Sequence, residues 1–259
     1  MLARTHPAPY ASFALQQPRR PPGPGTGDVV QRIVILNPKG GSGKTTIATN
    51  LAAYYAARGL STVLIDHDPQ ASSTRWLKRR DPALPKIHGI AAYDRNLRVT
   101  RSFLMRLPEG SERVVIDTPA ALAAPDLPEL VRGADAVLVP VLPSDIDIHA
   151  CSKCIGDLFL VAKMRRSENR IGVIANRTRR NTLVLTTLLR FLATMNVPIV
   201  TTLRDSQNYL RAAEQSRGIH EMKNYLARED LDTWQPLVAW LDARVPGGAR
   251  EADPLEAAG

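Results

Sequence analysis

The chain has 259 residues, 44% of them hydrophobic, enough to bury the core of one large α/β domain or two small ones. No apolar run approaches the roughly 20 residues that cross a bilayer, so a soluble chain is expected, and two cysteines make no disulfide framework, which agrees with a reducing cytosol. Lys and Arg number 34 against 25 Asp and Glu, a net charge of +9 that favours a polyanionic partner such as nucleic acid.

Residues 1–29 hold Pro7, Pro9, Pro18, Pro21, Pro22 and Pro24 without apolar periodicity and read as a flexible tail. Arg19-Arg20 is followed by Pro21-Pro22-Gly23-Pro24-Gly25 where an export signal needs an apolar segment, so export is not expected. The run Ile33-Val34-Ile35-Leu36 predicts a buried strand, and the Ala-rich stretch from Ile47 to Ala57 predicts a helix. Between them stands Asn-Pro-Lys-Gly-Gly-Ser-Gly-Lys-Thr-Thr, residues 37–46. Strand, glycine loop and helix are the context of a phosphate-binding loop. Backbone N–H groups of Gly40, Gly41, Ser42 and Gly43 turn inward, Lys44 meets the outer phosphates, Thr45 offers a hydroxyl to Mg²⁺, and Thr46 completes the cradle at the positive end of the helix.

Further along, Thr62 to Ile65 predicts a second strand ending at Asp66-His67-Asp68-Pro69-Gln70, and Ser72 to Arg80 a helix. Ala91 to Leu107 is amphipathic. Arg113 to Ile116 predicts a third strand running into Asp117-Thr118-Pro119, Ala136 to Val141 a fourth, and Asp145 to Met164 a long helix. Ile171 to Ala175 predicts a fifth strand, Leu183 to Met195 a helix, and Pro198-Ile199-Val200 the start of a sixth strand. Gln207 to Gln215 and Trp234 to Ala243 predict closing helices, with a second disordered tail over 246–259. This alternation predicts an α/β fold over 30–245, a mainly parallel twisted sheet with helices on both faces, whose ligands lie at the carboxyl ends of the strands. Asp117, an acid closing an apolar strand, suits the Mg²⁺ of a nucleotide hydrolase, although a carboxylate capping the turn before Pro119 would look the same in isolation.

The loop departs from the general G-x-x-x-x-G-K-[ST] pattern, since Pro38 replaces its first glycine and Lys39 heads it. In the form K-G-G-x-G-K-T-T it resembles the deviant Walker A motif of the ParA/MinD family. Asp66-x-Asp68-Pro69-Gln70 resembles that family's switch I, and Asp117-Thr118-Pro119 resembles the start of its switch II. The resemblance spans roughly Gln31 to Ala243 and loosens beyond Val141. It implies a P-loop ATPase, slow and stimulated by a partner, in which ATP and Mg²⁺ are sandwiched between two subunits. In it Lys39 contacts the phosphates of the nucleotide held by the partner subunit, Asp68 orients the attacking water, Asp66 organises the magnesium shell, and Asn176-Arg177 contacts adenine. It also implies a homodimer with ATP, non-specific DNA of the nucleoid as a ligand, and a cargo adaptor or ParB-like activator, in a cytoplasmic, nucleoid-associated protein. The stretch ahead of the loop leaves no room for the helix-turn-helix domain that some plasmid ParA proteins carry, so sequence-specific autorepression is not expected.

The basic residues offered for DNA are Arg75, Lys78, Arg79 and Arg80, then Arg177, Arg179 and Arg180, then Arg204, Arg211 and Arg217. Two alternatives share the same motor. A MinD-like positioning ATPase ends in a basic amphipathic helix, whereas the residues after Pro246 are small and acidic, so no membrane partner is expected. An iron–sulfur carrier of the Mrp/Nbp35 kind is suggested by Cys151-x-x-Cys154, but the pair precedes the position used in that family, and two buried thiols are expected instead.

Overall fold

The computed structural model describes residues 30–93 and 107–246. Seven strands form one sheet, β1 (Gln31–Ile35), β2 (Thr62–Asp66), β3 (His88–Ala91), β4 (Arg113–Asp117), β5 (Ala136–Val141), β6 (Ile171–Thr178) and β7 (Ile199–Arg204), ordered β3-β2-β4-β1-β5-β6-β7. Every strand pair is parallel. The helices are α1 (Lys44–Ala57), α2 (Ser72–Lys78), α3 (Leu127–Leu130), α4 (Asp145–Leu160), α5 (Leu183–Thr194), α6 (Gln207–Glu214) and α7 (Asn224–Asp242).

Because side chains alternate across a strand, one strand feeds two cores. Val34 and Leu36 of the first strand and its extension pack with Ile148, Cys151 and Ile155 of α4 and Leu188 and Leu192 of α5. Ile33 and Ile35 point the other way, onto Ile47 and Leu51 of α1 and Trp234, Leu237 and Leu241 of α7. Covered on both faces, the strands need continuous apolar runs rather than an alternating pattern, which is what Ala136–Val141 and Arg113–Asp117 supply in being buried throughout. Helix α1 is buried on nearly every side, so its Ala-rich composition lets it lie close to the sheet.

Several boundaries differ from the sequence reading. The strand β3 was not expected. It is a short edge strand with His88 and Gly89 exposed, too polar to show as an apolar run. The amphipathic stretch from Ala91 lies almost wholly outside the described residues, as do the whole of the tail 1–29 and all of 246–259 but Pro246. The helix starting at Ser72 stops at Lys78, and the one starting at Asp145 stops at Leu160. Helix α7 begins ten residues before Trp234, through a polar turn, and continues across Pro236. Strand β6 runs on through Thr178, with irregular register against β7, so Asn176 and Arg177 lie within the strand rather than after it.

Candidate functional site

The loop between β1 and α1 is held by its own neighbours. Asn37 is buried, its Nδ2 donates to the Pro140 carbonyl at 2.6 Å, and its Oδ1 accepts from the Lys39 N–H at 2.8 Å. Pro38, standing where the general motif has glycine, offers its carbonyl to Ala121 N–H at 2.7 Å. Gly41 and Gly43 have φ of +78° and +96°, backbone that side chains rarely adopt. Lys44 is buried, and its ammonium donates to the carbonyls of Asn37 (2.9 Å) and Lys39 (3.1 Å), while burial lowers its pKa against the raising influence of Asp117 and Asp68. Its charge therefore lies within the loop, which is where outer phosphates of a nucleotide would meet it.

At the carboxyl ends of two neighbouring strands, Asp66 and Asp117 sit in direct register, and both are buried. The two differ in what they have left to give. Asp66 Oδ2 accepts from the N–H and hydroxyl of Thr74 (2.8 and 2.9 Å), and its Oδ1 from Asp68 N–H at 3.0 Å. Asp117 Oδ2 accepts from the Ser73 hydroxyl at 2.6 Å, but its Oδ1 is buried with no partner among the described residues. Burial pushes the Asp117 carboxyl up to about 6, with Asp66 adding to the rise and the hydroxyls of Ser73 and Thr45 opposing it. A buried carboxylate oxygen without a donor, beside the Thr45 hydroxyl, fits a hard divalent cation such as Mg²⁺. Asp68 lies at the rim, half-buried, with Oδ1 accepting from Gln70 N–H at 2.9 Å.

Lys39 turns away from Lys44. Its ammonium donates to Asp147 Oδ2 at 2.6 Å, with 31% of the lysine side chain exposed and only 3% of the aspartate's. Asp147 sits in the first turn of α4, whose cap Ser144 donates its hydroxyl to the same oxygen and accepts from Asp147 N–H at 3.3 Å. Sequence reasoning missed Asp147. The signal available was Ser144-x-x-Asp147 ahead of an apolar run, a capping pattern.

Asn176 Nδ2 donates to the Ser42 carbonyl at 2.8 Å, and its Oδ1 accepts from Arg177 N–H at 3.0 Å. The residue expected at adenine thus braces the loop. Arg177 has φ of +51° and an exposed side chain 3.4 Å from Asp205, which also holds Arg179 at 3.2 Å. The other arginines divide similarly. Arg80 is buried against Glu221, and Arg204 faces Glu229 and Asp230, so neither charge is free for a ligand. Arg75, Lys78, Arg79, Arg180 and Arg211 are exposed.

Cys151 and Cys154 are buried on α4, and burial pushes the Cys151 thiol up to about 12 and Cys154 higher still. Among the described residues no group of three or more His, Cys, Asp and Glu is arranged to hold a metal ion, and no helix is long and apolar enough to cross a membrane.

Comparison with known proteins finds relatives in sequence and in fold. A carboxysome distribution protein A from Gloeobacter kilaueensis is 40% identical over 117 residues, 45% of this chain and 51% of that protein. The chromosome-partitioning ATPase Soj of Thermus thermophilus is 33% identical over 166 residues, 54% of this chain and 65% of that protein. The matches therefore span about half to two thirds of the length of these relatives. Among solved structures, a Cyanothece McdA–ATP complex superposes with a TM-score of 0.59 at 18% identity, over 84% of this chain and 97% of that one, a likeness of fold. The family model described as the CobQ/CobB/MinD/ParA nucleotide binding domain matches residues 33–219, so the chain belongs to that family.

Proposed function

We propose that the protein is a ParA-like ATPase that forms a homodimer around ATP, binds DNA without sequence preference, and positions a cargo by cycling between the two states. The observation that carries this reading is the divergence of the two lysines of one loop. Lys44 is buried on the loop's own carbonyls, whereas Lys39 is part exposed and held to α4 by a single carboxylate. A lysine so placed can exchange Asp147 for the phosphates of a nucleotide on a partner subunit, and dimerisation then follows the nucleotide.

Thr45 and the free oxygen of Asp117 would hold Mg²⁺, with Asp66 fixing the geometry through Thr74 and Asp68. Held there, the ion would supply positive charge to the phosphates of the nucleotide. The chain's own residues do the rest. Loop N–H groups and Lys44 bind the phosphates, Lys39 supplies charge from across the dimer, and Asp68 orients the water in line with the γ-phosphate. Phosphoryl transfer asks for this kind of positioning more than for covalent chemistry. Turnover is slow until an adaptor or ParB-like activator completes the site. The relatives named for carboxysome distribution and chromosome partitioning support a cargo-positioning role, with either a protein assembly or DNA as cargo. A cytoplasmic, nucleoid-associated location follows from binding DNA.

The test is light scattering on a sizing column with ATP and with ADP, for the parent and for Lys39→Ala. The parent is expected to dimerise with ATP, and the variant to bind ATP but stay monomeric. An ATP-bound variant that is still dimeric would overturn the role of Lys39. Filter binding of an arbitrary duplex, with ATP against ADP at several salt concentrations, tests the DNA step, and no ATP-dependent binding at low salt removes it.

A further inference from the structure

Asp66 and Asp117 stand side by side at the carboxyl ends of β2 and β4, both buried, and their oxygens meet different fates. The difference is made by the run Ser72-Ser73-Thr74, which opens α2. Asp66 closes the start of that helix from outside, since Thr74 gives its N–H (2.8 Å) and its hydroxyl (2.9 Å) to Oδ2, satisfying a donor that a first helical turn leaves open. Its Oδ1 is taken by the Asp68 N–H at 3.0 Å. Ser73 is fully buried and gives its hydroxyl to Asp117 Oδ2 at 2.6 Å. Asp117 Oδ1, beside Thr45, is then the one oxygen of the two carboxylates without a donor among the described residues.

Ser73 is itself held at its post. Trp76 of the same helix is buried in the core that contains Ile47 and Leu51 of α1. Just past the end of α2, Arg80 is buried in a fork with Glu221 (2.8 Å to Oε2) and donates to the Ser216 carbonyl at 3.2 Å. Ahead of Ser73 the chain turns through Ala71 at a φ of +53°, with the Ala71 N–H on the Asp68 carbonyl at 2.7 Å. A hydroxyl on a helix fastened at both ends keeps the carboxylate in one orientation, the part that outer partners of a ligand play in metal sites.

A carboxylate with one oxygen already taken offers a metal ion, or a water of its shell, the other oxygen alone. Mg²⁺ is small, octahedral and suited to that, whereas the larger Ca²⁺ takes more ligands and accepts both oxygens of a carboxylate. We infer that Ser73 is a positioning residue that fixes which oxygen of Asp117 faces the metal and so sets the preference of the site for Mg²⁺ over Ca²⁺. The inference rests on the reading above in which Thr45 and Asp117 hold a divalent ion, and adds how this chain chooses the ion.

The experiment follows binding of a fluorescent, non-hydrolysable ATP analogue to the full chain as MgCl₂ or CaCl₂ is titrated in, for the parent, Ser73→Ala and Ser73→Thr. Complexes of the ions with free nucleotide are common to all three proteins, so differences between them report the site. Ser73→Ala should raise the Mg²⁺ midpoint by about 10-fold or more, the usual cost of losing an outer partner of a metal ligand. Its Ca²⁺ midpoint should stay or fall, because the freed Oδ2 becomes available to the larger ion. Ser73→Thr, which keeps the hydroxyl, should keep the parent's ratio of the two midpoints. Midpoints that move by the same factor in Ser73→Ala, or that do not move, overturn the role of Ser73 and leave the metal reading standing. So does a Ser73→Thr protein that melts with the parent yet shows the ratio of the alanine variant. A parent that takes the nucleotide as tightly in EDTA as in Mg²⁺ overturns the metal reading and this inference with it.

Discussion

Asn176 and Ser42, 134 residues apart in the chain, are joined by a 2.8 Å hydrogen bond that clamps the phosphate loop to the end of β6. The clamp leaves no room beside it, because a Cβ on Gly43 would stand 2.2 Å from Asn176 Nδ2, at a φ of +96°. Gly43→Ala should therefore abolish nucleotide binding, combining a collision with backbone strain of about 1–3 kcal/mol. Asn176→Ala should weaken binding by about 10-fold through loosening of the loop, a loss of roughly one hydrogen bond's worth. The double variant should bind better than Gly43→Ala alone, since removing the amide relieves the collision and leaves only the strain. Titration with a fluorescent ATP analogue reads all three.

The Lys39–Asp147 pair predicts a coupling in the nucleotide-free protein. Lys39→Ala leaves a carboxylate that is almost wholly buried with only the Ser144 hydroxyl donating to it among the described residues. It should cost about 1–2 kcal/mol in urea denaturation, the usual penalty for a stranded polar group. With Asp147→Asn in the background, the same lysine change should cost less than about 0.5 kcal/mol. Equal costs in both backgrounds would show that the pair contributes nothing.

Asp68 is the expected orienter of water, and its place at the rim makes it dispensable for folding and for the first binding step. Asp68→Ala should lower single-turnover hydrolysis by about 100-fold or more while leaving ATP affinity within a few-fold, in the range seen for groups that handle a proton in the transition state. Phosphate release from a pre-bound complex, measured by stopped flow, separates the two effects.

His220 supplies a pH dependence that does not involve the nucleotide. Its ring stands between Tyr54 and Trp234, both ring nitrogens are buried without a partner among the described residues, and burial lowers its pKa to about 4. The folded protein thus holds this imidazole neutral while the unfolded chain protonates it near 6.5. Stability from this group is full above about 6.5, falls as pH drops toward 4, and falls no further below that. The loss amounts to at most about 3 kcal/mol. His220→Phe should flatten the stability profile over this window, which denaturation at a series of pH values will show.

Much of the fold was legible because it rests on local chemistry. Buried parallel strands demand apolar runs, and Ile33 to Leu36, Thr62 to Ile65 and Ala136 to Val141 announce themselves. Glycines at required positions and acids at strand ends likewise disclose Lys44, Thr45, Asp66 and Asp117 as a set. What stayed hidden depends on partners distant in the chain. No local pattern says that Lys39 meets Asp147, that Arg80 is spent on Glu221, or that Asn176 braces Ser42. The strand β3 escaped because an edge strand of four residues can be polar. The start of α7 escaped because Asn224 to Thr233 is mostly polar and lacks the dense apolar spacing that marks Trp234 to Ala243. The basic stretches were visible as charge, but only the fold sorts arginines paired with Asp205, Glu221 and Glu229 from those turned to solvent.

The strand order has a consequence for how the chain is made. β1 lies at the middle of the sheet, between β4 and β5, yet of the seven described strands it is the first to leave the ribosome. Gln31 pairs with Arg113, and Ile33 with Ala136. At about 5–20 residues per second, an apolar strand with both edges bare waits roughly 4–20 s for its neighbours. During that interval β1 is the segment most open to pairing with another nascent chain, and slowing synthesis between Asp66 and Arg113 should lower the yield of folded protein more than slowing it after Val141.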